Sequence, residues 1–93
     1  MNTSTFMIEV VMTDSFEELK STLSVNLKMC RARVGLSQER LALESGVDRT
    51  VVSRLERCLI NPTLQILLKL ATRLGVPVHE LLMDRKEGSP DGV

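Results

Sequence analysis

The chain reads as an all-α fold of five helices, and three observations predict it. Apolar residues recur at steps of three and four, the period of a helix with one side turned to a core. Only two aromatic side chains, Phe6 and Phe16, occur among 93 residues, and the rest of the 43% apolar content is mainly Leu, Val, Ile, Ala and Met at those helical spacings. Glycine or proline then punctuates the runs, at Gly35, Gly46, Pro62, Gly75 and Pro77. At this length there is room for one compact domain and no second core.

Taken in order, residues 1–14 form a short N-terminal arm. Its β-prone run Phe6-Met-Ile-Glu-Val-Val-Met12 is a strand that pairs with its own copy, a segment lying across the helices, or disordered chain. Residues 15–84 hold the helices. Ser15 and Glu18 write a Ser-x-x-Glu capping box, after which Phe16, Leu19, Leu23, Leu27, Cys30 and Val34 line one side of a helix that ends at Gly35. Pro62 stops any run through the loop Cys58-Leu-Ile-Asn-Pro62, and Thr63 caps the next helix. Leu64, Leu67, Leu68, Ala71 and Leu74 are its expected inner stripe. Gly75 closes it, and Pro77 opens a last helix with Val78, Leu81 and Leu82. Residues 85–93 have turn composition, no apolar side, and read as a flexible tail.

The segment from Leu36 to Glu56 is the most informative, because it reads as two short helices meeting at a glycine corner: a helix-turn-helix. Ser37 caps the first helix, Leu41, Ala42 and Leu43 give it an apolar side, and Gly46 ends it. Val47 plugs the corner, Asp48 is the expected cap of the second helix, and Val51, Val52 and Leu55 turn inward. The opposite side of that helix carries Arg49, Thr50, Ser53, Arg54 and Arg57. These are residue types that donate to phosphates and to base edges in a major groove.

Formal net charge is zero, which by itself argues against nucleic acid, but the charge is unevenly spread. Residues 26–57 hold seven basic against four acidic groups, and residues 1–25 hold one against four. It is the local field that meets phosphates, so modest non-specific affinity is expected, with more of the binding resting on base contacts. Cys30 falls at an inward position and reads as a small core side chain, whereas Cys58 stands where a glycine would naturally end a helix; both read as free thiols. His79 has no second ligand at metal spacing, and neither metal nor cofactor is expected. No enzyme is expected, since the chain shows no nucleophile with a base, no phosphate-cradling glycine loop and no paired carboxylates. No apolar run approaches the roughly 20 residues of a membrane span, and there is no secretory leader, so a cytoplasmic protein without membrane contact is expected.

Over about residues 23–83 the chain resembles the lambda-repressor-like domain of the Cro/repressor-type (XRE) transcription regulators. The segments Gly35-Leu-Ser-Gln38-Glu, Gly46-Val-Asp-Arg-Thr50, Ser53-Arg-Leu-Glu56-Arg, Asn61-Pro-Thr and Leu74-Gly-Val carry the likeness, which is greatest to the small controller proteins of restriction-modification systems. Cys58 departs from the glycine usual in these proteins, and Ile60 from a loop position that in controllers is often basic. The resemblance implies a sequence-specific transcription regulator that binds double-stranded DNA.

Base reading then falls to Arg49, Thr50, Ser53 and Arg54, and phosphate contact to Ser37, Gln38, Arg57 and Asn61. Gln38 matches the glutamine that in phage repressors anchors a phosphate and braces the recognition helix, and Arg31 and Glu56 match a partly buried ion pair. One recognition helix reads few base pairs, so a two-fold homodimer on a palindromic operator is expected. Its interface is drawn from Val78, Leu81, Leu82, Met83 and Ile66, unless the two leucines only complete the core. Two alternatives remain beside the controller: an antitoxin-type autorepressor whose arm or tail engages a protein partner, and a protein-interaction module that has lost DNA binding.

Overall fold

A computed structural model describes residues 15–84. The expected arm and tail, residues 1–14 and 85–93, lie outside the described residues. Five helices follow one another: α1 Phe16–Val34, α2 Gln38–Ser45, α3 Val51–Glu56, α4 Leu64–Leu74 and α5 Val78–Leu81. Side-chain caps start three of them. Ser15 Oγ accepts from the Glu18 amide at 3.0 Å while Glu18 Oε1 accepts from the Ser15 amide, closing the capping box. Ser37 Oγ accepts from the Arg40 amide and Thr63 Oγ1 from that of Ile66.

Positive φ shapes the joints between helices, and the two that flank α3 bear on the site. Gly46 ends α2 at φ 75, a left-handed conformation that costs an L side chain roughly 1–2 kcal/mol, and the chain reverses there within a few residues. Cys58 takes the same conformation, φ 60, after α3. The glycine-like position read from the sequence is therefore occupied by a residue with a Cβ. Its thiol donates to the Lys20 carbonyl at 3.6 Å, tying the loop to α1.

The core gathers Leu23, Leu27 and Cys30 of α1, Leu41 and Ala42 of α2, Val52 and Leu55 of α3, Leu67, Leu70, Ala71 and Leu74 of α4, and Leu81 of α5. Three sequence expectations are corrected. On α4 the inward residues are Leu67, Leu70, Ala71 and Leu74, while Leu64 and Leu68 are exposed at 79% and 56%. A leucine-rich helix offers two overlapping stripes, and packing against α2 and α5 selects one of them. Leu81 is fully buried within one copy, so it completes the core and drops out of the candidate dimer interface. At the edges of their helices Phe16, Val34 and Leu43 are exposed.

α5 has only four residues, too few to stand on their own hydrogen bonds, and a buried asparagine holds it. Asn26, 1% exposed, shares its two Nδ2 N–H donors among the carbonyls of Glu80, Leu81 and Met83, which lie at 3.2, 3.0 and 2.7 Å. These carbonyls lie at the end of α5, where a helix leaves its acceptors unpaired. Asn26→Ala is expected to lower the unfolding free energy by about 2 kcal/mol, because it strands buried acceptors. Urea denaturation checks the loss, and hydrogen exchange should show it concentrated at residues 78–83.

Candidate nucleic-acid interface

The interface is built on how α3 is held. Glu56, its last residue, has a side chain only 2% exposed, so its carboxylate needs partners within the protein. Arg31 of α1 supplies two hydrogen bonds, Nε to Oε2 at 2.8 Å and Nη2 to Oε1 at 3.0 Å. Gln38 Nε2 of α2 adds a third to Oε1 at 2.8 Å. Arg31 Nη1 also donates to the Leu36 carbonyl, and Ser24 Oγ to the Glu56 carbonyl at 2.6 Å. The carboxylate's hydrogen bond raises the Arg31 guanidinium further above its already high ordinary value. α1, α2 and α3 thus share one polar knot.

Asp48 caps the turn that leads into α3. Its Oδ1 accepts from the Thr50 amide at 2.9 Å and from Thr50 Oγ1 at 2.7 Å, while its carbonyl accepts from the Val51 amide. Arg49 and Thr50 consequently sit on a tight turn ahead of the helix rather than in its first turn. The Thr50 hydrogen bonds, backbone first, lower the Asp48 pKa.

A groove of about 330 Å³ opens beside this turn, lined by Gln38, Glu39, Arg49, Thr50, Ser53, Arg54 and Arg57. The structure thereby brings together six of the eight residues predicted to read bases or hold phosphates. Ser37 and Asn61 are exposed but do not line the groove. Ser37 is engaged as a helix cap, and Asn61 lies in the loop after α3. Ile60 is half-buried against the core, so this loop position is an apolar anchor. The arrangement offers three guanidinium groups, two hydroxyls and an amide on one concave surface, which suits hydrogen bonding to an anionic polymer and to base edges.

Glu39 was missed as a site residue. Its Oε2 accepts from Arg49 Nη2 at 3.0 Å, and both side chains are largely exposed. The two are ten positions apart and on opposite sides of a turn, so no helical spacing advertises the pair. Among the interface candidates, Leu82 and Met83 are exposed, while Val78 and Ile66 are half-buried against the core. No three His, Cys, Asp or Glu side chains among the described residues group as metal ligands, and no helix there is long and apolar enough to cross a membrane.

A helix-turn-helix family model matches residues 27–81. The chain belongs to this family, HTH_3. It has the helix-turn-helix DNA-binding fold of transcriptional regulators, in the lambda-repressor-like arrangement. A hypothetical transcription factor of Neisseria meningitidis is 39% identical over 71 residues, covering 76% of this chain and 67% of the relative. The crystal structure of the Neisseria factor superposes with a TM-score of 0.74 at 37% identity, over 81% of this chain and 86% of that one. The restriction-modification controller protein C.AhdI of Aeromonas hydrophila gives 0.64 at 42% identity, over 67% of this chain and 94% of its own. The regulator SinR of Bacillus subtilis is 39% identical over 67 residues, 71% of this chain. This HTH_3 chain aligns with only 60% of SinR's length, and a SinR–SinI protein complex superposes at 0.66 with 34% identity, over 75% of this chain and 69% of that one.

Two outcomes follow. Arg31→Ala leaves the Glu56 carboxylate buried with Gln38 alone and should cost about 3 kcal/mol or more in denaturant unfolding, because breaking a buried pair strands a charge. Glu44 gives a pH dependence. It accepts from Arg73 of α4 at 2.7 Å and from Arg40 of α2, and those hydrogen bonds, Arg73's first, lower its pKa from 4.5. The folded state therefore binds this proton less readily than the unfolded chain, and the stabilisation is complete above that value and lost as pH falls below it. Melting temperatures of the wild type and Glu44→Gln should differ at pH 7 and converge under acid.

Proposed function

We propose that this regulator binds a palindromic operator as a two-fold homodimer, each copy laying α3 and the turn before it into a major groove, and that it acts as a restriction-modification controller in the cytoplasm. The observation carrying this is the groove in which Arg49, Thr50, Ser53, Arg54 and Arg57 converge beside Gln38. An arginine facing a base edge bonds guanine O6 and N7 together, and Thr50 offers a hydroxyl and a methyl. Ser53 and Arg54 follow along α3. Arg57, Gln38, Ser37 and Asn61 hold the sugar-phosphate backbone around them. Similarity to C.AhdI, a named restriction-modification controller, supports the same reading.

Dimerisation rests on apolar surface that one copy leaves over. Leu82 and Met83 at the end of α5 are 36% and 47% exposed, with Val78 and Ile66 partly accessible. Leu64 and Leu68 of α4 add exposed apolar area that the sequence had assigned to the core. A second copy covering them would carry two recognition helices, and a two-fold protein reads a two-fold site. The SinR–SinI complex supports a second reading, in which a protein partner engages a regulator of this fold. The arginine groove favours DNA as the first ligand.

Anisotropy titrations with operator selected from a random duplex library, and with random duplex, across 50 to 200 mM salt test the proposal. Log affinity should fall linearly with log salt, and two copies should bind each selected site. Arg49→Ala should lose about 1–3 kcal/mol of discrimination at one base pair of each half-site. Arg57→Ala should weaken all sequences alike and make the salt slope shallower by about one. Absence of DNA binding at low salt would overturn the reading.

A further inference from the structure

Glu39 is the one acidic side chain among the residues lining the groove, and it meets Arg49 at 3.0 Å. An exposed pair of this kind adds little to a fold, since solvent screens it and two flexible side chains must be ordered to make it. Against DNA its position matters more. A carboxylate facing a duplex repels phosphates and offers only acceptors, so a groove selected for affinity alone would not keep one there.

We propose that Glu39 is a specificity-determining positioning residue, whose carboxylate fixes the Arg49 guanidinium for a guanine edge and penalises contact with DNA that lacks it. This rests on the DNA-binding reading above. Arg49 stands on a turn with its side chain 77% exposed, and among the hydrogen bonds observed the contact from Glu39 is the one that restrains its guanidinium. One corner of the planar fork is held, and its remaining N–H donors stay available in a set orientation. A fork ordered in advance loses less freedom when it bonds O6 and N7 together. On a sequence without guanine at that position Arg49 gains no bidentate partner, while the carboxylate still faces the phosphate field. Both effects widen the gap between right and wrong sequences.

The experiment compares the full chain with Glu39→Gln, Arg49→Ala and the double variant. Each is put through enrichment from a random duplex library and a salt titration on random duplex. Glutamine keeps the length and suits the helix, so circular dichroism and melting curves should match the wild type closely. Glu39→Gln should bind random duplex more tightly, with a salt slope steeper by about 0.9. Its preference for guanine at the Arg49 position should drop by about tenfold, within the range one bidentate contact supplies. In the Arg49→Ala background the same change should leave base preference unaltered. If Glu39→Gln enriches the wild-type motif with unchanged preference, the proposal is overturned, and Glu39 is only an acid in the first turn of α2. A wild type that enriches nothing overturns this proposal and the operator reading together; a wild type that enriches a motif retained by Glu39→Gln overturns this one alone.

Discussion

A carboxylate removed from water must be matched donor by donor, and the match that Glu56 finds determines where α3 points. Its partners come from α1 and α2, and a further bond from Ser24 fixes the backbone of the same residue. Charge-assisted hydrogen bonds of this sort are directional, and Arg31's fork admits only a narrow range of carboxylate orientations. Hydrophobic burial of Val52 and Leu55 would hold α3 against the core yet leave it free to slide or roll by a fraction of a turn. The knot removes that freedom. A buried ion pair adds little net stability compared with a well-packed apolar substitute, so its contribution here is to orientation.

Orientation matters because α3 is short. Six residues make fewer than two turns, well below the length at which a helix persists alone, so its geometry is imposed from outside. The preceding turn is imposed too. Gly46 reverses the chain, Val47 anchors the corner by a bond from its amide to the Ala42 carbonyl and by packing on the core, and Asp48 folds the next residues around its own side chain. Arg49 and Thr50 are thus presented on backbone already hydrogen-bonded on both sides. Little ordering remains to be done when a partner arrives, and that is where weak polar contacts otherwise lose their advantage.

Much of this was legible in local chemistry. Ser15 with Glu18, Ser37, Thr63 and Gly46 act through residues three or four positions away, so caps and corners could be read from spacing. The Arg31–Glu56 pair joins positions 25 apart and came only through likeness to repressors. Elsewhere spacing misled. Leu64 and Leu68 share helical spacing with the true inner face, and only the placement of α2 and α5 separates the two stripes. Asp48 caps as its chemistry suggests, accepting from the Thr50 amide, yet the regular helix begins only at Val51, so Arg49 and Thr50 stand on the turn before it. Glu39 and Arg49 meet across a turn, a contact that exists only once the corner has its shape.

The neutral total charge then takes on a meaning that composition alone did not give it. A strongly basic regulator is attracted to every phosphate in a genome, and up to a billion competing sites hold most of its copies. Here the basic surplus of residues 26–57 is confined to one region, and inside the groove one of the arginines is already paired with an acid. On the proposed function, such a chain spends less of its concentration on indifferent DNA. Occupancy of its operator then follows the amount of dimer, which rises with the square of monomer concentration while monomers predominate. A regulator that must stay silent when scarce and act abruptly when abundant needs that combination, and surplus positive charge would blunt it.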